Sequence, residues 1–262
     1  MNCSGLTGSI PTDLFRYNVK AAANAFQSTF RTCSGLTGSI PETLFKDCTL
    51  ASSAAFHTTF HGCSGLTGSI PEDLFRYNPL GTVRAFHSTF SSCTGLTGSI
   101  PEGLFRYNTG VSADGFRETF YGCTGLTGTI PADLFRYNTQ VSTGGFYRTF
   151  YGCTGLTEAA NGLFYYNYLV TSFFGVFNGC TSLKLNSNVF FPPGQESVFF
   201  LGRAMNFSNM VNRSTYSGAP GVAPALWNCS FNQTIITTGC YGGDGNNSTS
   251  LSNYGDIPVG WK

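Results

Sequence analysis

The sequence predicts an α/β repeat solenoid: one short parallel strand plus a helical turn per thirty-residue coil, with an irregular cap at the C-terminal end. Three observations predict it. Cys3, Cys33, Cys63, Cys93, Cys123 and Cys153 stand thirty residues apart, and Cys180 follows after 27. Each interval repeats C-[ST]-G-L-T-G-[ST]-I-P-x-x-L-F, a variable stretch, and F-x-x-T-F. No single unit can offset the entropy of ordering itself by hiding one Cys, two Leu, one Ile and three Phe, so units must stack to share a core.

Within a coil, Leu6-Thr7-Gly8-Ser9-Ile10 alternates apolar with polar, the pattern of a short strand with Leu and Ile inward. Pro11 ends it, because proline has no amide to continue a ladder. Leu14 and Phe15 fill the following corner. Phe26 and Phe30 stand at i and i+4, which predicts a helical turn with both rings on one face. Five units keep the pattern; the sixth substitutes Glu158-Ala159-Ala160-Asn161-Gly162, and the seventh decays after Leu183. The expected domains are a solenoid over 1–183 and a capping segment over 184–262. Val198-Phe199-Phe200-Leu201, Trp227 and Trp261 are expected to cover the last coil.

Composition excludes several functions. Only 10% of residues are charged and the net charge is +1, so no electrostatic case exists for nucleic acid or an anionic membrane. With 15% aromatic residues the chain is not disordered. The most apolar stretch, Val189 to Met205, is interrupted by Pro192, Pro193, Glu196 and Arg203 and is no membrane span. No leader is legible between Met1 and Cys3, which leaves open a cytosolic protein or a chain written without its leader.

L-T-G-S-I-P and F-x-x-T-F-x-x-C-x-x-L resemble the leucine-rich repeat, and within it the BspA-like subclass of bacterial surface antigens, here in a thirty-residue variant. The resemblance runs from Cys3 to about Leu183. It implies surface exposure and adhesion or protein binding, an extracellular or cell-surface location, and no catalytic residues.

Outward on the strand face, in-register stacking lines up Thr7, Thr37, Thr67, Thr97 and Thr127 beside Ser9, Ser39, Ser69, Ser99 and Thr129. One position of the Phe segment varies from coil to coil: Gln27, His57, His87, Arg117 and Tyr147. These residues are the expected binding positions. Arg16, Lys46, Arg76, Arg106 and Arg136 form a basic stripe beside Asp13, Glu42, Asp73, Glu102 and Asp133, expected as a solvated salt-bridge edge. The cysteine ladder reads as buried thiols packed as small apolar groups. Cys229 and Cys240 close a short loop and are the disulfide candidate. His57, His61 and His87 lack a matching carboxylate and read as solvent face, so no metal or cofactor is expected. Asp244 to Ser248 resembles the start of a calcium loop and reads as a turn, since its sixth-position glycine and closing Glu are missing. Asn2, Asn206, Asn212, Asn228, Asn232, Asn246 and Asn247 each begin N-x-[ST].

The expected function is non-catalytic: a surface-exposed repeat protein, of bacterial or phage origin, that binds a protein or glycan through its solenoid face. Head-to-tail assembly into a fibre or appendage through an uncovered first coil is the alternative, by self-association of the N-terminal repeat. Ice binding by the Thr/Ser array is a minor third.

Overall fold

A computed structural model describes residues 5–211, 221–242 and 251–262. Coils are numbered here from each repeat cysteine, so coil 2 begins at Cys33 and coil 6 at Cys153. The chain is a repeat solenoid whose coils stack in parallel. Gly8 bridges Leu36, and the same pairing recurs at Gly38 with Leu66, Gly68 with Leu96, and Gly98 with Leu126. Each bridge carries one bond, as from the Thr67 amide to the Gly38 carbonyl at 2.9 Å.

These contacts stay single bridges for a local reason. The glycine of each T-G-S sits at positive φ, +75° at Gly38 and +76° at Gly98, where a pleated strand cannot continue. Coil 6 has Glu158 after Leu156-Thr157, and there the extended run lengthens. Strand β1 (Gly128–Ile130) pairs in parallel with β2 (Leu156–Ala159), with an irregularity after Gly128. Leu36, Leu66, Leu96 and Leu126 and the isoleucines from Ile10 to Ile130 point inward and are buried, while Leu6 of the first coil is 49% exposed.

The Phe segment departs from expectation. No α-helix occurs among the described residues. Residues 24–33 form a chain of turns with a period of four. The amides of Gln27, Thr29, Arg31 and Cys33 donate to the carbonyl three residues back, at 3.0–3.2 Å. The amides of Asn24, Phe26, Ser28, Phe30 and Thr32 donate instead to Ser53, Ala55, His57, Thr59 and His61 of the next coil, at 2.6–2.9 Å. Asn24, Ser28 and Thr32 have φ of 57°, 58° and 57°, so positive φ returns every fourth residue. That is the geometry of type II turns at 26–29 and 30–33, whose third residue needs positive φ. The i, i+4 phenylalanines share a face in this arrangement as they would in a helix. The helical reading fails because the backbone spends half its amides on the neighbouring coil.

The core consists of three phenylalanine columns. Phe45 stacks on Phe75 at 6.1 Å, Phe56 on Phe86 at 5.6 Å, and Phe60 on Phe90 at 5.7 Å, with planes within 11°. Neighbouring columns meet tilted, as Phe56 and Phe75 do at 4.7 Å and 52°. From Cys33 to Cys180 the ladder thiols are buried, as expected.

Coil-to-coil bonding continues past Lys184, where the sequence period stops. Ser172 bridges Asn206, and Gly221 bridges Leu251. Strand β3 (Met205–Asn206) pairs in parallel with β4 (Ile235–Ile236). Phe207 extends the column of Phe173 at 6.1 Å, and Trp261 lies 5.7 Å from Phe207. The described residues after 184 thus wind further, with Trp261 packed on Phe207 near the end. Their irregular look in sequence comes from lost residue repetition, not from lost coil geometry.

Candidate functional site

Two faces carry the expected binding positions. On the strand face Thr7, Thr37, Thr67, Thr97 and Thr127 are exposed, as are Ser9, Ser39, Ser69, Ser99 and Thr129. Coils 1 to 5 each present a Thr and a Ser or Thr hydroxyl there, with the positive-φ glycine between them.

The turn face is different. Its period of four directs 25, 26, 29 and 30 inward and 27, 28, 31 and 32 outward, so the outward residues of successive coils stack. Gln27, His57, His87, Arg117 and Tyr147 form one column. Gln27 Nε2 lies 3.2 Å from His57 Nδ1, and the rings of His57 and His87 stack at 4.6 Å. Arg117 sits 4.2 Å from the centroid of Tyr147, and Tyr147 stacks on Phe174 at 4.8 Å. A second column brings Tyr121 onto Tyr151 at 4.8 Å. Planar groups that cover one another's faces leave edges, nitrogens and hydroxyls for a ligand.

Charge gathers beside the column. Asp114 lies 3.6 Å from both Arg84 and Arg117. Ser88 Oγ donates to Glu118 at 3.3 Å, and Arg148 lies over Tyr147, Tyr151 and Phe174. Sequence reasoning missed Arg84, Asp114, Glu118, Arg148, Tyr121 and Tyr151. The signal was present: each stands at a position where other coils carry a different residue type.

Burial lowers the His57 proton affinity first, then the cations Arg84 and Arg31 and the nearby His61. His87 is pushed down to about 4 by burial, then by His57 and Arg117. Both rings are therefore neutral near pH 7. Among the described residues no group of three His, Cys, Asp or Glu side chains is placed to hold a metal.

The remaining candidates fall elsewhere. Cys229 and Cys240 are both buried and form no disulfide, contrary to expectation. Burial pushes Cys229 up to about 12 and Cys240 well above the usual thiol range, and the Tyr241 phenol lies within electrostatic reach of both. Thiols so hard to ionise pack as apolar groups. Asn228 is exposed, Asn232 is exposed with its Oδ1 accepting from the Gly202 amide at 2.7 Å, and Asn206 is half-buried. Asn2, Asn212, Asn246, Asn247 and the Asp244–Ser248 turn lie outside the described residues.

No protein-family model matches the chain, and no curated protein matches it. Solved structures with some likeness include the plant peptide hormone receptor RGFR1 in complex with RGF2, at 18% identity over 87% of this chain and 42% of that one, with a TM-score of 0.21. The Arabidopsis receptor kinase HAESA, in complex with the peptide hormone IDA and the co-receptor SERK1, is 17% identical over 69% and 37%, with a TM-score of 0.22. A leucine-rich repeat protein from Bacteroides ovatus is 18% identical over 91% and 78%, with a TM-score of 0.18. The chain spans less than half the length of the two receptors. At such TM-scores these likenesses carry no argument about partners.

Proposed function

We propose that the chain is a non-catalytic binding protein, displayed outside the cell, whose turn face docks a protein or peptide. One observation carries this reading. The scaffold repeats itself nearly everywhere, yet the outward column Gln27–His57–His87–Arg117–Tyr147 carries four residue types in five coils, with Gln27, His57 and His87 in contact along it and Arg117 packed on Tyr147. Specific recognition needs chemical variety along a surface, and Tyr and Arg are the side chains that dominate binding hot spots. The strand face repeats the same Thr and Ser and carries little information. Its positive-φ glycines also break the flat pleat that an ice-matching array needs. The buried, hard-to-ionise thiols support a non-catalytic role, because the thiolate is the reactive form. No helix among the described residues is long and apolar enough to cross a membrane.

The test is a screen of the intact chain against extracellular protein, peptide and glycan arrays. Hits are expected to weaken at least about tenfold on R117A or Y147A, which remove column contacts of the hot-spot kind. They are expected to survive T67A and S69A. Only nonspecific binding, or hits insensitive to the turn face, contradicts the reading.

A further inference from the structure

The corner after the strand carries another ladder. Guanidinium and phenol alternate along coils 3 to 6: Arg76 lies 5.3 Å from the centroid of Tyr107, Arg106 lies 5.8 Å from Tyr137, and Arg136 lies 5.1 Å from Tyr166. Each arginine thus faces a ring of the following coil. Acids of the same coil meet the charge, at 3.1 Å for Arg76 with Asp73 and 3.2 Å for Arg136 with Asp133.

Coil 2 interrupts this ladder. It has Lys46-Asp47-Cys48 where coils 1, 3, 4 and 5 have Arg-Tyr-Asn. In the ladder's register the ring due opposite Arg16 belongs at position 47, and Asp47 stands there instead. A cavity of about 450 Å³ opens at this place, lined by Asp13, Arg16, Tyr17, Thr43, Lys46 and Asp47 among others. Among the described residues the Arg16 guanidinium lies over the Tyr17 ring of its own coil, at 5.4 Å, and over no ring of coil 2. Among the described residues Arg16 and Lys46 form no ion pair, unlike Arg76 and Arg136.

We propose that this gap is a binding slot for one tyrosine side chain of a protein partner. The ring takes the place that the chain's own tyrosine fills in coils 3 to 5, with its face toward Arg16. Asp47 and Thr43 line the same cavity and supply acceptors for a phenol hydroxyl. A leucine of similar bulk gains neither the cation–ring contact nor the hydroxyl bond. The partner's being a protein rests on the proposed binding function; the slot itself does not.

The experiment is a nuclear magnetic resonance titration of the intact chain with N-acetyltyrosinamide, with N-acetylleucinamide as the control. Millimolar binding is expected, with shifts confined to Arg16, Tyr17, Thr43 and Lys46. Affinity is expected to fall about tenfold in D47Y, where the chain supplies its own ring, and in R16A, where the cation is gone. Tyrosinamide binding no better than the leucine control overturns the slot, as does unchanged affinity in R16A or in folded D47Y. Either result leaves the turn-face screen untouched, and a failed screen leaves this titration valid.

Discussion

In coils 1 to 4 each phenylalanine carbonyl of the three columns accepts a side-chain bond from the residue 33 positions on. Thr59 Oγ1 donates to Phe26, Cys63 Sγ to Phe30, and Asn78 Nδ2 to Phe45, and the bonds recur about thirty residues on. Each Asn amide also reaches a second carbonyl, as Asn108 does at Phe75 and Asn78, at 3.2 and 2.8 Å. These donors sit in the dry core at 0% exposure for Thr59, Asn78 and Asn108. Removing one strands its acceptors, and an unmet buried polar group costs about 1–3 kcal/mol. Asn108→Ala is therefore expected to lose about 2 kcal/mol in urea unfolding. Cys48 occupies the Asn position of coil 2 and reaches the Phe15 carbonyl only at 3.7 Å. Burial, then Asp47, holds its thiol at about 11. Cys48→Asn restores two donors and is expected to gain about 1 kcal/mol by the same measurement. None of this was legible residue by residue. T-F and R-Y-N repeat visibly, yet Thr and Asn are ordinary surface residues by type, and only the coil register puts them inside.

A single turn chain shows how local packing is negotiated. Ala51 and Ala55 of coil 2 correspond to Val111 and Gly115 of coil 4, and to Val141 and Gly145 of coil 5. A methyl on Gly115 would overlap Val111 Cγ1. Gly115→Ala is expected to cost about 1–3 kcal/mol through overpacking, and Val111→Ala in the same chain to recover most of it. Additive losses in that double-mutant cycle contradict the volume exchange. The helix expected over this segment was misread because i, i+4 spacing fits a period of 4.0 as well as 3.6. The buried partners Ala55 and Thr59, one residue before each phenylalanine, separate the two.

The turn-face column also sets a pH dependence. His57 and His87 are faced by Gln27, Arg84, Arg117 and His61, with Arg31 beyond His57 and Asp114 bridging the two arginines. The folded chain holds His87 neutral down to about 4, while the unfolded chain binds a proton near 6.5. The unfolded state therefore carries more protons between these values, and stability falls as pH drops from about 6.5 to 4. The expected loss is about 2–3 kcal/mol in urea unfolding. His87→Gln places in coil 3 the residue that coil 1 has, and is expected to flatten that slope. The column was legible as a set of variable positions; its stacking was not, because stacking depends on a register that only the backbone bonds fix.

At the scale of the molecule, the fold follows from a single register. The cysteine period announces coils 1 to 6, and the inward Leu and Ile columns follow from it. Beyond Lys184 the geometry outlives the repetition: Met205 pairs with Ile235 and Ala223 bonds Asn253, each thirty residues apart. Backbone bonding between coils needs only the right length of chain, whereas the columns need the right side chains. A pattern search sees the second and misses the first. The cavity at coil 2 is the converse, legible only as a lapse in a pattern whose spatial meaning comes from the guanidinium–ring ladder.

The in-register stack is tested most directly by distances along one exposed column. Nitroxides carried on unnatural side chains at Thr7 paired with Thr97, Thr127 or Thr157 avoid the native thiols. Pulsed electron spin resonance is expected to give separations that rise by about 5 Å for each added coil. Separations that do not grow in equal steps contradict the stack.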